Sequence, residues 1–563
     1  MIKWGLIFFI GLSSTCYAGE FYQSRKWLNL LYYEKSGDEY RSVADDDRFF
    51  VSKFGKTNPK SEYEAELKLT LDQDPEFRQK FPLRYKTITK VNQLPYIPIV
   101  TVNNAIDSVV VAYPNRYMAN PASMFGHLFL ILKSKQGLMD SDILHYIADT
   151  AGQDQSAYIF NGLTGQFKGW FLKEPYYRKI KEYNYVEDRE IVYYDLKLSA
   201  EQIEDLQLHS VELKQSYFYY YFLDENCAFF MGKLLNVVLD EDILSRSSLI
   251  FPSQIINTLY DKNLLISEYR RKPSTKVFNE HFSQLTDDEQ SNVIDLILHE
   301  TNSVPSSPEV LKTFLYTSEY LINTQSQLAP IIRHNRIQAY QKLQSQNNAN
   351  VRPINTKQNT VSPIKSKGLS ATYGFSDQIS LSYNPIYYGD YEPFSELEVK
   401  KLRCLSPRLI LAPTLAPLFE ITLADIESIT QYNTVLNGYS WRLSSSVGFQ
   451  TSVVTNQSFE IGQAYRILGE GLAFGFIGLN YSNYDSLTER KLEFLMLRPS
   501  LSIGIAQPLI SETLNAKIAY DNRFGKNYLT AKISLKAMGL IHQLNYVQTD
   551  SISELQLSTT TIF

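Results

Sequence analysis

The sequence predicts a multidomain α+β protein: an α+β domain carrying a cysteine–histidine pair, then helices, then a C-terminal antiparallel β-barrel. Three observations predict it. Helix-spaced and strand-like apolar runs share residues 19–345. Residues 346–366 are rich in Asn, Gln, Pro, Ser and Lys without an apolar pattern, which marks a linker. Beyond them, period-two alternation dominates to the last residue.

Composition narrows the function classes. The chain of 563 residues is long enough for several domains, and 44% hydrophobic with 20% charged residues excludes disorder. A net charge of −5 without a basic block argues against a nucleic-acid partner. The 40 tyrosines suit sheets, carbohydrate-facing clefts and membrane interfaces, because a tyrosine joins an apolar ring to a polar tip.

Taken in order, residues 1–18 read as a secretory signal peptide: Lys3, a short apolar core from Trp4 to Leu12, and small residues before a cleavage point after Ala18. The apolar run is too short to span a bilayer. Export leaves two cysteines, Cys227 and Cys404, in regions assigned to different domains, so a disulfide between them is not expected. Residues 19–100 are read as a helix-rich domain, with helices expected from Trp27 and over 61–71. Residues 101–260 form the Cys–His domain, with strands expected at 108–113, 128–132, 142–148 and 190–198. Ser199 and Gln202 form a capping box for a helix predicted to end in the aromatic cluster 217–222. A second helix starts at Cys227, with Phe230, Leu234, Leu235 and Val238 at helical spacing. Residues 261–345 are helical, clearest over 289–300 and 330–344.

Residues 367–563 hold about 10–12 alternating segments, each near the length of a tilted membrane strand. Leu369, Ala371, Tyr373 and Phe375 share one face, and Ser370 and Thr372 the other. The chain ends on an outward-phase Phe563, similar to the terminal aromatic of bacterial outer-membrane barrels. A soluble β-sandwich also alternates; the barrel is the preferred reading. Signal and barrel together predict the outer membrane of a Gram-negative bacterium, with the Cys–His domain in the periplasm.

His127 stands directly before a strand, and Cys227 at the first turn of a helix after Asp224-Glu225-Asn226. Backbone N–H groups at a helix start favour a thiolate and can hold an oxyanion. An imidazole on a neighbouring strand can take and return the proton. Gly126 allows close approach beside His127. Ser123, His145, Asp224 and Asn226 are the candidates for an orienting or supporting third group. The other histidines (His209, His281, His299, His334 and His542) show no metal-ligand spacing, and 160–171 lacks a phosphate-loop pattern, so no metal and no cofactor are expected.

The order His-then-Cys is similar to the circularly permuted papain-like enzymes, and NCAFF at 226–230 resembles the Asn-Cys-x-x-Phe of the lecithin:retinol acyltransferase group. A wider likeness follows. SMFGHLFLIL at 123–132, LHYIAD at 144–149, FNGLTGQFKGWF at 160–171, EDREIVYYDLKLS at 187–199 and DENCAFFMGKLL at 224–235 together resemble the Lnb-type periplasmic domain. That is the N-terminal domain of bacterial lipoprotein N-acyltransferases. The resemblance implies a permuted papain-like fold, Cys227 and His127 as the catalytic pair, and acyl-thioester chemistry on phospholipid or lipoprotein acyl chains. Established acyltransferases of this kind carry transmembrane helices after the domain, where this chain carries β-rich sequence. Three functions stand open: an outer-membrane-anchored thiol acyltransferase or lipid acyl-hydrolase, a periplasmic cysteine peptidase or amidase, and a non-catalytic outer-membrane module with a structural cysteine. The cysteine–histidine pair favours an enzyme.

Overall fold

In a computed structural model the chain forms two compact units, Met1–Ile364 and Lys365–Phe563. The structure describes residues 21–562, apart from 118–122, 151–154, 245–248, 347–354, 359–360 and 362 in the first unit and short segments between 375 and 552 in the second. Residues 1–18, read above as a signal peptide, and Phe375 and Phe563 lie outside the described residues.

The first unit opens with short helices. Helix α1, Pro59–Leu71, is capped by Asn58, whose side chain accepts the Ser61 N–H at 3.0 Å. Helix α2, Pro82–Val91, has no cap from its own preceding residue. Its free N–H groups are met by Glu212 of helix α3, Ala200–Leu213, which accepts from Leu83 and Arg84 at 2.7 and 2.9 Å. Arg84 is fully buried among Glu62, Glu66 and Glu212, at 3.8, 3.0 and 3.7 Å. Three carboxylates around one guanidinium favour retention of a proton, and burial first, then its acidic neighbours, push the Glu66 carboxyl well up. This cluster joins the N-terminal helices to α3.

The capping box at Ser199 and Gln202 forms as its sequence predicts. The helix does not run on into the aromatic cluster, however. It stops at Leu213, and Phe218–Tyr220 is a short edge strand. Alternate aromatic side chains can thereby face opposite sides of a strand, which a helix would not allow.

The central sheet has eight strands: β1 Ile106–Pro114, β2 Phe129–Ser134, β3 Gly137–Ala148, β4 Phe167–Pro175, β5 Ile191–Leu196, β6 Phe218–Tyr220, β7 Leu265–Arg271 and β8 Asn355–Gln358. Their order is β8-β7-β5-β1-β2-β3-β4-β6, antiparallel throughout. Strands β4, β7 and β8 were not read from sequence; β8 lies within the stretch read as linker. Both faces of the sheet are covered. Val109, Val111, Leu130 and Tyr146 pack with α3 and with helix α4, Cys227–Leu239. Val110, Phe129, Ile131 and Ile143 pack under the helical segment Tyr176–Val186. Helices Ser274–Phe282, Asp287–Leu298, Pro308–Thr324 and Ala329–Ser345 follow.

The second unit is a closed barrel of twelve strands. These are β9 Gly368–Gly374, β10 Gln378–Asn384, β11 Glu398–Ala412, β12 Leu415–Thr430, β13 Ser440–Phe449, β14 Val453–Arg466, β15 Leu472–Ser482, β16 Leu497–Ile510, β17 Leu514–Arg523, β18 Lys526–Ala537, β19 Leu540–Thr549 and β20 Ser553–Ile562. Closure comes from pairing β9 with β20, Gly368 opposite Ile562, and β10 with β11, Ile379 opposite Leu411. The expected alternation places polar residues inside: Ser370, Ser458, Ser502 and Thr560 are buried, while Leu369, Ile461, Ile503 and Leu557 are exposed. An apolar exterior around a polar lumen is what lipid requires of a barrel. Cys404 lies in this wall, and both described cysteines are free.

Candidate functional site

Helix α4 begins at Cys227 because Asn226 ends the preceding loop and caps it. The Asn226 Oδ1 accepts the Ala228 and Phe229 N–H groups at 2.9 and 3.3 Å. Its Nδ2 donates to the Phe222 and Ile250 carbonyls at 3.2 and 2.7 Å. Asn226 is therefore spent on holding the loop and the helix start. It also occupies two of the N–H groups that the sequence suggested for an oxyanion.

The thiol is nearly buried, at 5% exposure. Burial pushes its pKa above the usual thiol value of 9.0. Four groups pull the other way: the N–H of Leu128, the Tyr220 hydroxyl, the Ala228 N–H and the charge of Arg189. The Leu128 contact places the sulfur on the residue that follows His127. Tyr220 Oη also accepts the Cys227 N–H at 3.4 Å, so one phenol holds both ends of the cysteine.

His127 is positioned by a tight turn. Gly126 adopts a φ of +86°, and a Cβ there would lie 2.4 Å from the Tyr113 ring, so only glycine fits. The Ser123 carbonyl receives the Gly126 N–H at 3.0 Å, which makes Ser123 part of this turn. The Pro114 carbonyl accepts the His127 N–H at 3.3 Å and Arg189 Nη2 at 2.9 Å. Arg189 is further fixed by the Asn115 carbonyl at 2.5 Å and by Glu187 at 2.8 Å, and its guanidinium lies over the Tyr183 ring.

The His127 and His145 rings meet edge to face, with centroids 6.3 Å apart, and Tyr183 stands 5.9 Å from His127. Burial first, then His145, Arg189 and Lys179, hold the His127 pKa well below 6.5. Burial first, then Lys179, holds His145 down to about 3. Both rings are neutral at neutral pH. His127 Nε2 and both His145 nitrogens are buried without a hydrogen-bond partner among the described residues. Glu174 lies 3.7 Å from His145 Nε2, too far for a hydrogen bond. Asp224 is exposed and accepts its neighbour Glu225's N–H at 2.8 Å.

The structure thus gathers Cys227, His127 and His145 near the start of β2, puts Ser123 and Asn226 in backbone roles, and leaves Asp224 on the surface. Sequence reasoning missed Tyr220 and Arg189 as parts of the site. Period two would have exposed the first. Phe218, Tyr220 and Phe222 are buried, whereas Tyr219 and Tyr221 line a cleft of about 1000 Å³ with Glu34, Asp45 and Glu225. The aromatic stretch is therefore half core and half cleft wall.

Residues 98–262 match the Lnb N-terminal periplasmic domain, and residues 19–90 match a domain of unknown function, DUF7843. No curated protein sequence matches the chain. Among solved structures, the barrel is similar to the KdgM porin in complex with disordered oligogalacturonate, at 11% identity over 36% of this chain and 99% of that one, TM-score 0.22. It is also similar to the NanC porin, at 6% identity over 35% and 99%, TM-score 0.24. Residues 98–262 are thus similar to an Lnb-type periplasmic domain, and the chain joins this region to a twelve-stranded barrel.

Proposed function

We propose that the periplasmic domain is a thiol-dependent acyltransferase or acyl-hydrolase, with Cys227 as nucleophile and His127 as its base, in a permuted papain-like arrangement. One observation carries the reading. A cysteine at a helix start is met by the Tyr220 hydroxyl and by the N–H of Leu128, the residue that follows His127, whose buried Nε2 has no partner among the described residues. Most buried polar atoms have a hydrogen-bond partner, and a ring nitrogen without one is open to proton transfer.

The chemistry follows from the ground state. Thiol and imidazole are both neutral, so the proton leaves sulfur as the substrate arrives. Sulfur attacks an ester carbonyl of a phospholipid or lipoprotein, and His127 takes the thiol proton. The tetrahedral oxyanion is met by backbone N–H and the Tyr220 hydroxyl. The ester C–O bond breaks, and His127 returns the proton to the leaving alcohol. The Cys227 thioester is then resolved by an amine or by water, which gives up its proton and regenerates the thiol. His145 positions the His127 ring, and Arg189 disfavours its premature protonation.

A second reading has its own support. The 5% exposure of Cys227 also fits a non-catalytic module whose cysteine is packing. Full-length protein in mixed micelles with phospholipid separates the two. The enzyme reading expects lysophospholipid release that is lost in Cys227→Ser and His127→Ala. No release from wild-type protein favours the structural reading. Cys227-dependent cleavage of a muropeptide instead favours a peptidase.

A further inference from the structure

Twelve strands leave the lumen's state open by geometry alone. Eight-stranded barrels are filled by their side chains, and much wider ones hold water. Here the inner side chains decide. Strand β15 turns Leu472, Phe474 and Phe476 inward, and they form a buried apolar cluster with Ile429 of β12 and Ala519 of β17. Phe474 and Phe476 are 4% and 1% exposed, whereas Ile477 on the outward phase of the same strand is 63% exposed.

Charges lie against this cluster and reach across the barrel. Arg442 of β13 stands over the Phe476 ring, 4.1 Å from its centroid. It lies 3.0 Å from Glu427 of β12, 3.3 Å from Glu460 of β14 and 3.2 Å from Asp521 of β17. Lys517 of β17 meets Glu427 at 2.6 Å. In the ring of strands β14, β15 and β16 stand between β13 and β17, so the Arg442–Asp521 and Glu427–Lys517 pairs are chords through the lumen, not contacts along the wall. Beside them is a cavity of about 370 Å³ lined by polar residues including Lys401, Ser534, Gln543 and Gln556.

We propose that the barrel is a sealed membrane anchor, its lumen closed by this apolar plug and the ion pairs that cross it. Charges withdrawn from bulk water persist only when paired, and removing one member leaves its partners uncompensated and drawn to water. The plug should therefore open when a crossing residue is cut back. The inference is independent of Cys227 and of any catalysis.

The test uses purified full-length protein in planar bilayers and in liposomes under a small-sugar osmotic gradient. Wild-type protein is expected to give no stepwise conductance and no swelling. Arg442→Ala combined with Phe476→Ala is expected to produce both, with heat-modifiable gel migration confirming a folded barrel. Lys517→Gln with Phe474→Ala gives a second route to the same opening if the first pair does not fold. Stable conductance steps from the wild-type protein overturn the proposal without recourse to any variant. So does a folded plug variant that remains as tight as wild type.

Discussion

Ile131 in the sheet of the first unit is fully buried; Ile477, within a barrel strand, is 63% exposed. Both are strand residues flanked on either side by paired strands. The difference lies in what faces them. In the first unit helical segments cover both faces of the sheet, so its strands read as near-continuous apolar runs such as 128–132. In the second, apolar residues face outward and polar ones inward, so the strands alternate. Burial on two faces and an apolar face turned outward leave different sequence patterns. The first surrounds an imidazole with apolar groups, and the second brings charges together in a lumen.

The largest effect that sharpens this comparison is on activity. Cys227→Ser and His127→Ala should abolish phospholipid cleavage while circular dichroism stays unchanged, whereas Cys404→Ser, in the barrel wall, should keep full turnover. The raised thiol pKa adds a pH signature. Alkylation of Cys227 should be slow at neutral pH and accelerate only above pH 9; rapid alkylation at pH 7 would show a preformed thiolate.

Next in size is a matched pair of surface substitutions. Ile477 of the barrel and Ile266 of β7 are 63% and 61% exposed. Ile477→Arg should destabilise the barrel by about 2–4 kcal/mol if the site lies near mid-membrane. Ile266→Arg, facing water, should stay within about 0.5 kcal/mol. Urea unfolding of each variant in lipid vesicles checks both, and equal costs would remove the distinction between the two exteriors.

A backbone change at the site follows. Gly126→Ala forces a positive φ on alanine and drives its Cβ into Tyr113, which should cost about 1–3 kcal/mol. It should also slow turnover by moving His127. Thermal unfolding and kcat, measured together, check this.

The smallest effect is electrostatic. Burial, then Asp224, Asp45 and Glu34, raise the Glu225 carboxyl to about 7 from an ordinary 4.5. Because the folded pKa is the higher one, its contribution to stability is full below pH 4.5 and is lost as pH rises through about 7. Glu225→Gln should flatten the fall in melting temperature across that window. An unchanged slope would place the pH dependence elsewhere.

Much of this was legible in the sequence. The alternation of Leu369, Ser370 and Ala371 revealed the barrel, because a sheet between water and lipid needs a strict period. The turn Asp224-Glu225-Asn226 marked the helix start at Cys227, and the structure adds that Asn226 caps it. The strand β8 was hidden, as Asn355–Gln358 carries no apolar signal and depends on backbone pairing with β7. Tyr220 was missed because the run 217–222 reads as the end of a helix; read with period two, Phe218, Tyr220 and Phe222 share the buried face. Arg189 acts through carbonyls of 114 and 115, far away in the chain, and such long-range partners leave no spacing to read. Asp224 looked suited to orient an imidazole, yet a turn residue that accepts its neighbour's N–H faces solvent.

The central claim is that Cys227 carries an acyl group during turnover. Intact-mass measurement of full-length protein quenched after brief exposure to a phospholipid of defined chain length tests it most directly. The account predicts an adduct equal to one acyl chain, located on Cys227 by peptide mapping, removed by hydroxylamine and absent from Cys227→Ser. Lysophospholipid release with no Cys227 adduct under any quench, or an adduct that persists in Cys227→Ser, would contradict it.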